Sequence, residues 1–477
     1  MKKLLITGAL VIFILLCTAF LFTACASSAG ATSGETFTIN IDKTSPLFQS
    51  NFIYGLTHTH YWWHVENPIA VQRAKGLVKD ISTVHNVHIM GWGSGNPWPS
   101  KTANFNFRDI KERVDLAIEL GGEPWITFCT APGWMKGTHD WAMEEAPLPE
   151  FEDDFAHLCA EVAKAFPEVK VFQVWNEFKG MWADGGQVDY VRYTRLYNKV
   201  YTAVKAVRPD AELGGFYAVL EGDGTFKTFG GNFEDNRHTS EPLNNLSRDA
   251  IAYFLANAID MDYFLVDRAN VDYHNDGYWS WQTRLYRATR DQAMRLTKYF
   301  QKATKEVAEL TTLPIVWSEY YGTYGDGKGE FRRNNQPYIG AHYASIAYNM
   351  IMGAGGRDLY ALLWIEWEHT VRHALFTDPL SPAGGRPTPH YFAMKKLIDN
   401  FPKGTMLYTA NISSPDLKNR DLENRDLEQD VISDLIEVLA SEKIAYVINK
   451  TNTVLTIILN GVTHELRPYA VEVFNYN

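Results

Sequence analysis

From about residue 51 the chain alternates short apolar runs with longer amphipathic stretches. That alternation predicts strands joined by helical crossovers, and therefore a parallel sheet. The strand runs cover 52–57, 87–91, 124–129, 169–176, 212–217, 271–274, 313–319 and 359–365. Residues 262–265 compete with 271–274 for the sixth place. The clearest helical stretches are 107–120, 151–166, 188–207, 283–310 and 338–352. Eight strand–helix units predict an α/β fold, a closed (β/α)8 TIM barrel over 46–402, with its working face in the loops that follow the strands.

Past residue 402 the pattern changes. Residues 416–430 carry a tandem charged repeat, Asn419-Arg420-Asp421-Leu422-Glu423 then Asn424-Arg425-Asp426-Leu427-Glu428, which reads as a solvated loop or short exposed helix. Runs at 435–439, 444–449, 453–459 and 469–474 follow, separated by turn signals such as Asn460-Gly461. They predict a small C-terminal β-sandwich over 403–477, joined by an N-terminal strand within 36–45.

The first 25 residues read as a secretory signal, with Lys2 and Lys3 ahead of a long apolar stretch that ends at Thr23-Ala24-Cys25. The ending resembles the bacterial lipobox, which implies that Cys25 is lipidated; the apolar stretch is also nearly long enough to span a membrane as an uncleaved anchor, and on either reading the folded part lies outside the cytoplasm. Residues 26–35 are small and polar, a flexible tether. The formal charge is −11, and loss of Lys2 and Lys3 takes it to −13, so nucleic acid and anionic membrane surfaces are poor partners. The membrane enters only through the lipid anchor. Cys129 and Cys159 read as two buried free thiols, with no disulfide scaffold and no cysteine metal site implied.

Two of the apolar runs end in a glutamate: Val171-Phe172-Gln173-Val174-Trp175-Asn176-Glu177 and Leu313-Pro314-Ile315-Val316-Trp317-Ser318-Glu319-Tyr320. A carboxylate at the end of a buried strand is costly to desolvate, so two of them beside tryptophans point to chemistry. Hydrolysis of a glycosidic bond with retention needs such a pair, one protonated to assist the leaving oxygen and one ionised to attack the anomeric carbon. Asn176 is placed to hold a sugar 2-hydroxyl, and Trp317 and Tyr320 bracket Glu319. No cofactor is required by this mechanism.

Trp175-Asn176-Glu177 with Ser318-Glu319-Tyr320 resembles the clan of retaining (β/α)8 glycosidases, and within it glycoside hydrolase family 39 most of all. Residues 124–128, the segment Ala131-Pro132-Gly133-Trp134-Met135, the eighth strand with Trp364 and the later 385–393 are similar to other parts of that family. The resemblance spans roughly 51–400 and implies Glu177 as acid/base, Glu319 as nucleophile, Asn176 as the 2-hydroxyl contact, and His274 and Trp364 in the reacting-sugar subsite. Two positions depart from the pattern: strand two offers His88 where the clan usually has arginine, and Phe178 follows Glu177 where proline is common.

All 14 tryptophans lie between Trp62 and Trp367, and many, Trp92 and Trp134 among them, fall at or beyond predicted strand ends. Aromatic faces pack on the apolar faces of pyranose rings, so the set suits a carbohydrate cleft. Two other readings stay open. His58-Thr59-His60 at the first strand end is the way metal-dependent barrel hydrolases begin their site, although later strands offer no matching ligand set; a sugar-hydroxyl role for His58 or His60 competes with it. Alternatively the chain is a catalytically impaired surface lipoprotein that only binds glycans.

Overall fold

The computed structural model describes residues 33–57, 68–92, 94–181, 188–220, 245–269, 294–322, 337–364, 366–367, 374–418 and 425–476. Cys25, His58, His60 and His274 lie outside them. Eight strands, β1 (Ser33–Thr57), β2 (Val84–His88), β3 (Glu123–Phe128), β4 (Val171–Val174), β5 (Glu212–Val219), β6 (Tyr263–Ala269), β7 (Ile315–Tyr321) and β8 (Asp358–Trp364), pair in parallel in chain order. Strand β8 then pairs back to β1, from Asn51↔Asp358 to Thr57↔Trp364, so the ladder closes into a ring.

A helix follows each strand: α1 (Pro68–Ile81), α2 (Arg108–Glu119), α3 (Glu152–Ala165), α4 (Tyr190–Val207), α5 (Asn245–Asn257), α6 (Lys298–Leu310), α7 (Pro337–Ala354) and α8 (Pro389–Asn400). The sequence period shows why they pack on the ring. In α3, Phe155, Leu158, Cys159 and Val162 recur at helical spacing, and all are buried. The ring strands are apolar on both faces because helices cover one and the ring interior the other.

That interior is a packed core. Val84, Trp125, Val171, Tyr217, Leu265, Val316 and Leu362 cluster there with Ile53, at least one side chain from every strand. Toward the carboxyl ends of the strands the filling turns polar. Asn86 donates to the Thr57 hydroxyl at 2.8 Å and accepts from Thr127 at 3.0 Å, tying β1, β2 and β3 together under the rim.

Several expectations need correction. The sixth strand is Tyr263–Ala269, over the competing segment; 271–274 lies outside the described residues. The second strand begins earlier than its most apolar stretch, because Val84 and Asn86 point inward with His88. The C-terminal part contains strands β9 (Thr405–Ser413), β10 (Ile436–Ala440), β11 (Ile444–Asn449), β12 (Val454–Leu459), β13 (Val462–Leu466) and β14 (Val471–Asn475). Of these, β9 and β13 were not read from the sequence. The expected small sandwich holds in part: its strands form one ladder, β13-β12-β1-β9-β10-β11-β14, with only Ala440↔Tyr408 joining β9 to β10. Its two arms share one core, Phe37, Ile39 and Ile457 from one side against Val438 and Val447 from the other. Within the charged repeat, α9 (Arg425–Leu435) forms.

Strand β1 belongs to both units. Its first part, up to Ser50↔Thr405, lies in the C-terminal ladder, and from Asn51 onward it enters the ring. The ladder is also bonded to α7: Asn349 and Lys450 both donate to buried Glu437, at 2.9 and 2.8 Å.

Candidate active site

Beyond Val174 the backbone turns sharply. Trp175, Glu177 and Phe178 take φ values of 67°, 51° and 56°, left-handed conformations that cost residues with side chains about 1–3 kcal/mol each. Packing over-determines the turn. The Trp175 indole N–H donates to the Lys179 carbonyl at 2.8 Å, and its ring meets Phe155 of α3 edge-on. Phe178 packs edge-on against both Tyr193 and Phe216, with ring centres 4.5 and 5.2 Å away. The Tyr193 hydroxyl donates to the Val174 carbonyl and accepts the Phe216 N–H, both at 2.9 Å, stapling the ends of β4 and β5. Gly180, at φ 72°, passes so near the Ala146 backbone that a Cβ would collide with it. Phe178 in the usual proline position thus anchors the segment that carries Glu177.

Glu319 reaches the same rim through a bulge. Val266 pairs with Trp317, yet the next pair is Asp267↔Glu319, so Ser318 is the extra residue on β7. Side chains alternate along a strand, and one inserted residue reverses the face that follows. Glu319 therefore shares the inward face of Asp267, in line with Tyr263 and Leu265 of the interior core.

Glu177, Asp267 and Glu319 are all buried, and each offers one carboxyl oxygen within 4.8 Å of the other two. A carboxyl oxygen of Asp267 thus lies within 4.8 Å of one on Glu177. The Lys179 ammonium lies 2.7 Å from Glu177 and 3.9 Å from Glu144, and 5.3 Å from the centre of the Trp92 ring. Burial, then the charge of Glu177, push the Glu319 carboxyl well above the ordinary range, and Lys179 opposes them. Asp267 is raised well above its ordinary value too, by burial first and then by Glu319 and Glu177. Burial works against the Lys179 charge, but Glu177, Glu144 and Glu319 more than offset it and hold the ammonium above its usual range. Burial drives the nearby Cys129 thiol up to about 12, so it stays neutral and is no nucleophile. The three carboxyls have the spacing of metal ligands, but the site carries its own cation on Lys179.

The other residues singled out from sequence divide. Asn176 is fully buried beside Glu177, and neither of its amide atoms has a hydrogen-bond partner among the described residues. His88 packs against Trp92 with ring centres 4.3 Å apart, and Trp92 in turn faces Lys179. Trp364 is half-buried at the end of β8, its ring 4.8 Å from that of Tyr321. Tyr320 turns away from the carboxyls to pack against Tyr54 and Tyr343. Trp134 bonds the Trp98 carbonyl at 2.9 Å and packs on Trp98 and Phe151. Lys179 and Asp267 were missed. Tyr263-Phe264-Leu265-Val266-Asp267 is itself an apolar run ending in a carboxylate, the signal that singled out the two glutamates.

No family profile and no curated sequence matches the chain. Solved structures share its fold. A monomeric β-xylosidase from Caulobacter crescentus CB15 superposes with a TM-score of 0.55 at 13% identity, over 89% of this chain and 83% of that one. A family 39 glycoside hydrolase from the gut symbiont Bacteroides cellulosilyticus WH2 gives 0.53 at 14% identity, over 88% and 78%. The catalytic domain of GH30 xylanase C from Talaromyces cellulolyticus gives 0.52 at 13% identity, over 90% of each chain. The fold is therefore one that glycoside hydrolases of families 30 and 39 use, as the resemblance of the two glutamate segments implied.

Proposed function

We propose that the protein is a retaining glycoside hydrolase built on a (β/α)8 barrel, with Glu319 as nucleophile and Glu177 as acid/base. The observation that carries this reading is the approach of the two carboxyls, whose oxygens come within 4.8 Å. Retaining enzymes hold their carboxyl groups about 5–5.5 Å apart, whereas inverting enzymes need about 6.5–9.5 Å to admit a water. In the first step Glu319 attacks the anomeric carbon while a proton passes through Glu177 to the departing oxygen. In the second, Glu177 takes a proton from water as that water displaces Glu319. The orphaned amide of Asn176 fits a sugar 2-hydroxyl, and Trp92 and Trp364 fit sugar faces.

The structural neighbours include a β-xylosidase and a xylanase, so xylan-derived oligosaccharides are the first substrates to test. The lipobox-like ending at Cys25 supports action outside the cytoplasm from a lipid anchor. The test is to incubate purified protein with a panel of polysaccharides, size the products, and read the first-formed anomer by proton NMR. Retention supports the mechanism; inversion overturns it.

A further inference from the structure

Glu177 has two neighbours of opposite effect. Lys179 stands 2.7 Å from it, a contact that favours a carboxylate at all times and so opposes its use as an acid. Asp267, 1% exposed, brings a carboxyl oxygen within 4.8 Å of one on Glu177. Among the described residues, the groups around this pair come from several elements: Glu319 on β7, Tyr217 on β5, Cys129 at the end of β3, and Glu144 and Lys179 on the loops. Cys129 and Tyr217 are buried and neutral, so among the described residues Lys179 is the positive charge beside Glu177, and Glu319 is the third carboxyl of the group. Two buried carboxyls whose oxygens lie within 4.8 Å cannot both ionise cheaply, because like charges at that distance in a buried site repel strongly.

We propose that Asp267 is a positioning residue that keeps a proton on the Glu177–Asp267 pair, against the pull of Lys179, so that Glu177 has an acid proton to deliver. The inference rests on the glycosidase reading for its purpose, although the proton itself is a property of the resting protein. In the first step the proton of the pair goes to the glycosidic oxygen as that C–O bond breaks and a Glu319 oxygen bonds the anomeric carbon. The pair is then fully ionised, with Lys179 beside it. In the second step a water proton returns to the pair as the water oxygen bonds the anomeric carbon and Glu319 departs as a carboxylate. Each cycle restores the starting charge. Lys179 stabilises the doubly ionised middle state, which explains why a cation and a third carboxyl occur together.

The raised value of Asp267 agrees with a proton held there at rest. The test follows the Glu177 carboxyl directly, by carbon-13 NMR of protein labelled at glutamate carboxyls, with Glu177→Gln to assign the signal. The Asp267→Asn variant should move the upper ionisation of Glu177 down by about one pH unit or more, and Lys179→Met should move it up. If both variants leave the titration unchanged, or move it the same way, the proposal is wrong. Should Asp267→Asn fail to fold, Lys179→Met decides alone: a titration that does not rise overturns the proposal. This readout needs no turnover, so failure of the glycosidase reading shows separately, as absence of glycan cleavage by the wild-type protein.

Discussion

Asp267 and Glu319 are register partners on adjacent strands β6 and β7, brought onto one face by the extra residue Ser318. Two buried carboxyls side by side are unfavourable for stability, and a bulge is needed to create the arrangement. The fold gives up free energy here to gather acids where the strands end.

That cost makes stability depend on pH. Both carboxyls are raised in the fold, so the native protein binds more protons than the unfolded chain once the pH exceeds the ordinary carboxyl range. Their contribution is complete below about pH 4 and is lost as the pH rises through the folded values. Glu319→Gln removes one raised group. Its melting temperature should exceed that of the wild type near neutral pH, with a gain that shrinks toward about pH 4. A difference independent of pH between those limits would contradict the shift.

Asn176 predicts a substrate-dependent defect. If its buried amide holds the sugar 2-hydroxyl, Asn176→Ala loses several kcal/mol of transition-state binding, about 10²–10³-fold in kcat/KM, on ordinary glycosides. On 2-deoxy glycosides of the same sugar, wild type and variant should differ little. Equal losses on both substrates would assign Asn176 a packing role.

Tyr193 tests how the strained turn is held. Tyr193→Phe leaves the Val174 carbonyl and the Phe216 N–H without their shared hydroxyl. Each unsatisfied buried group costs about 1–3 kcal/mol, so thermal unfolding should show a clear drop. Turnover should fall as well, because Glu177 rides on the segment that Tyr193 and Phe178 pin.

The ring was legible because its strands are near-continuous apolar runs and its helices carry a helical period, as in 315–321 and 152–165. The two glutamates stood out for the same reason. Asp267 shows the limit of that signal: the run before it was ranked below 271–274, and the third acid went with it. No sequence pattern could reveal Lys179 as the partner of Glu177, because left-handed residues at 175, 177 and 178 fold the loop back, and L-residues avoid that conformation. Strand β13, Val462–Leu466, escaped notice because its residues are mostly exposed, so it lacks an apolar period to read.

The central claim is that Glu177 and Glu319 perform glycosidic cleavage together, and Glu177→Ala on the glycan that the wild type cleaves tests it most directly. We predict a fall in turnover of about 10²–10⁴-fold on the natural glycan. Azide should partly restore activity on substrates with good leaving groups. A Glu177→Ala protein that cleaves its natural glycan at the wild-type rate would contradict the account.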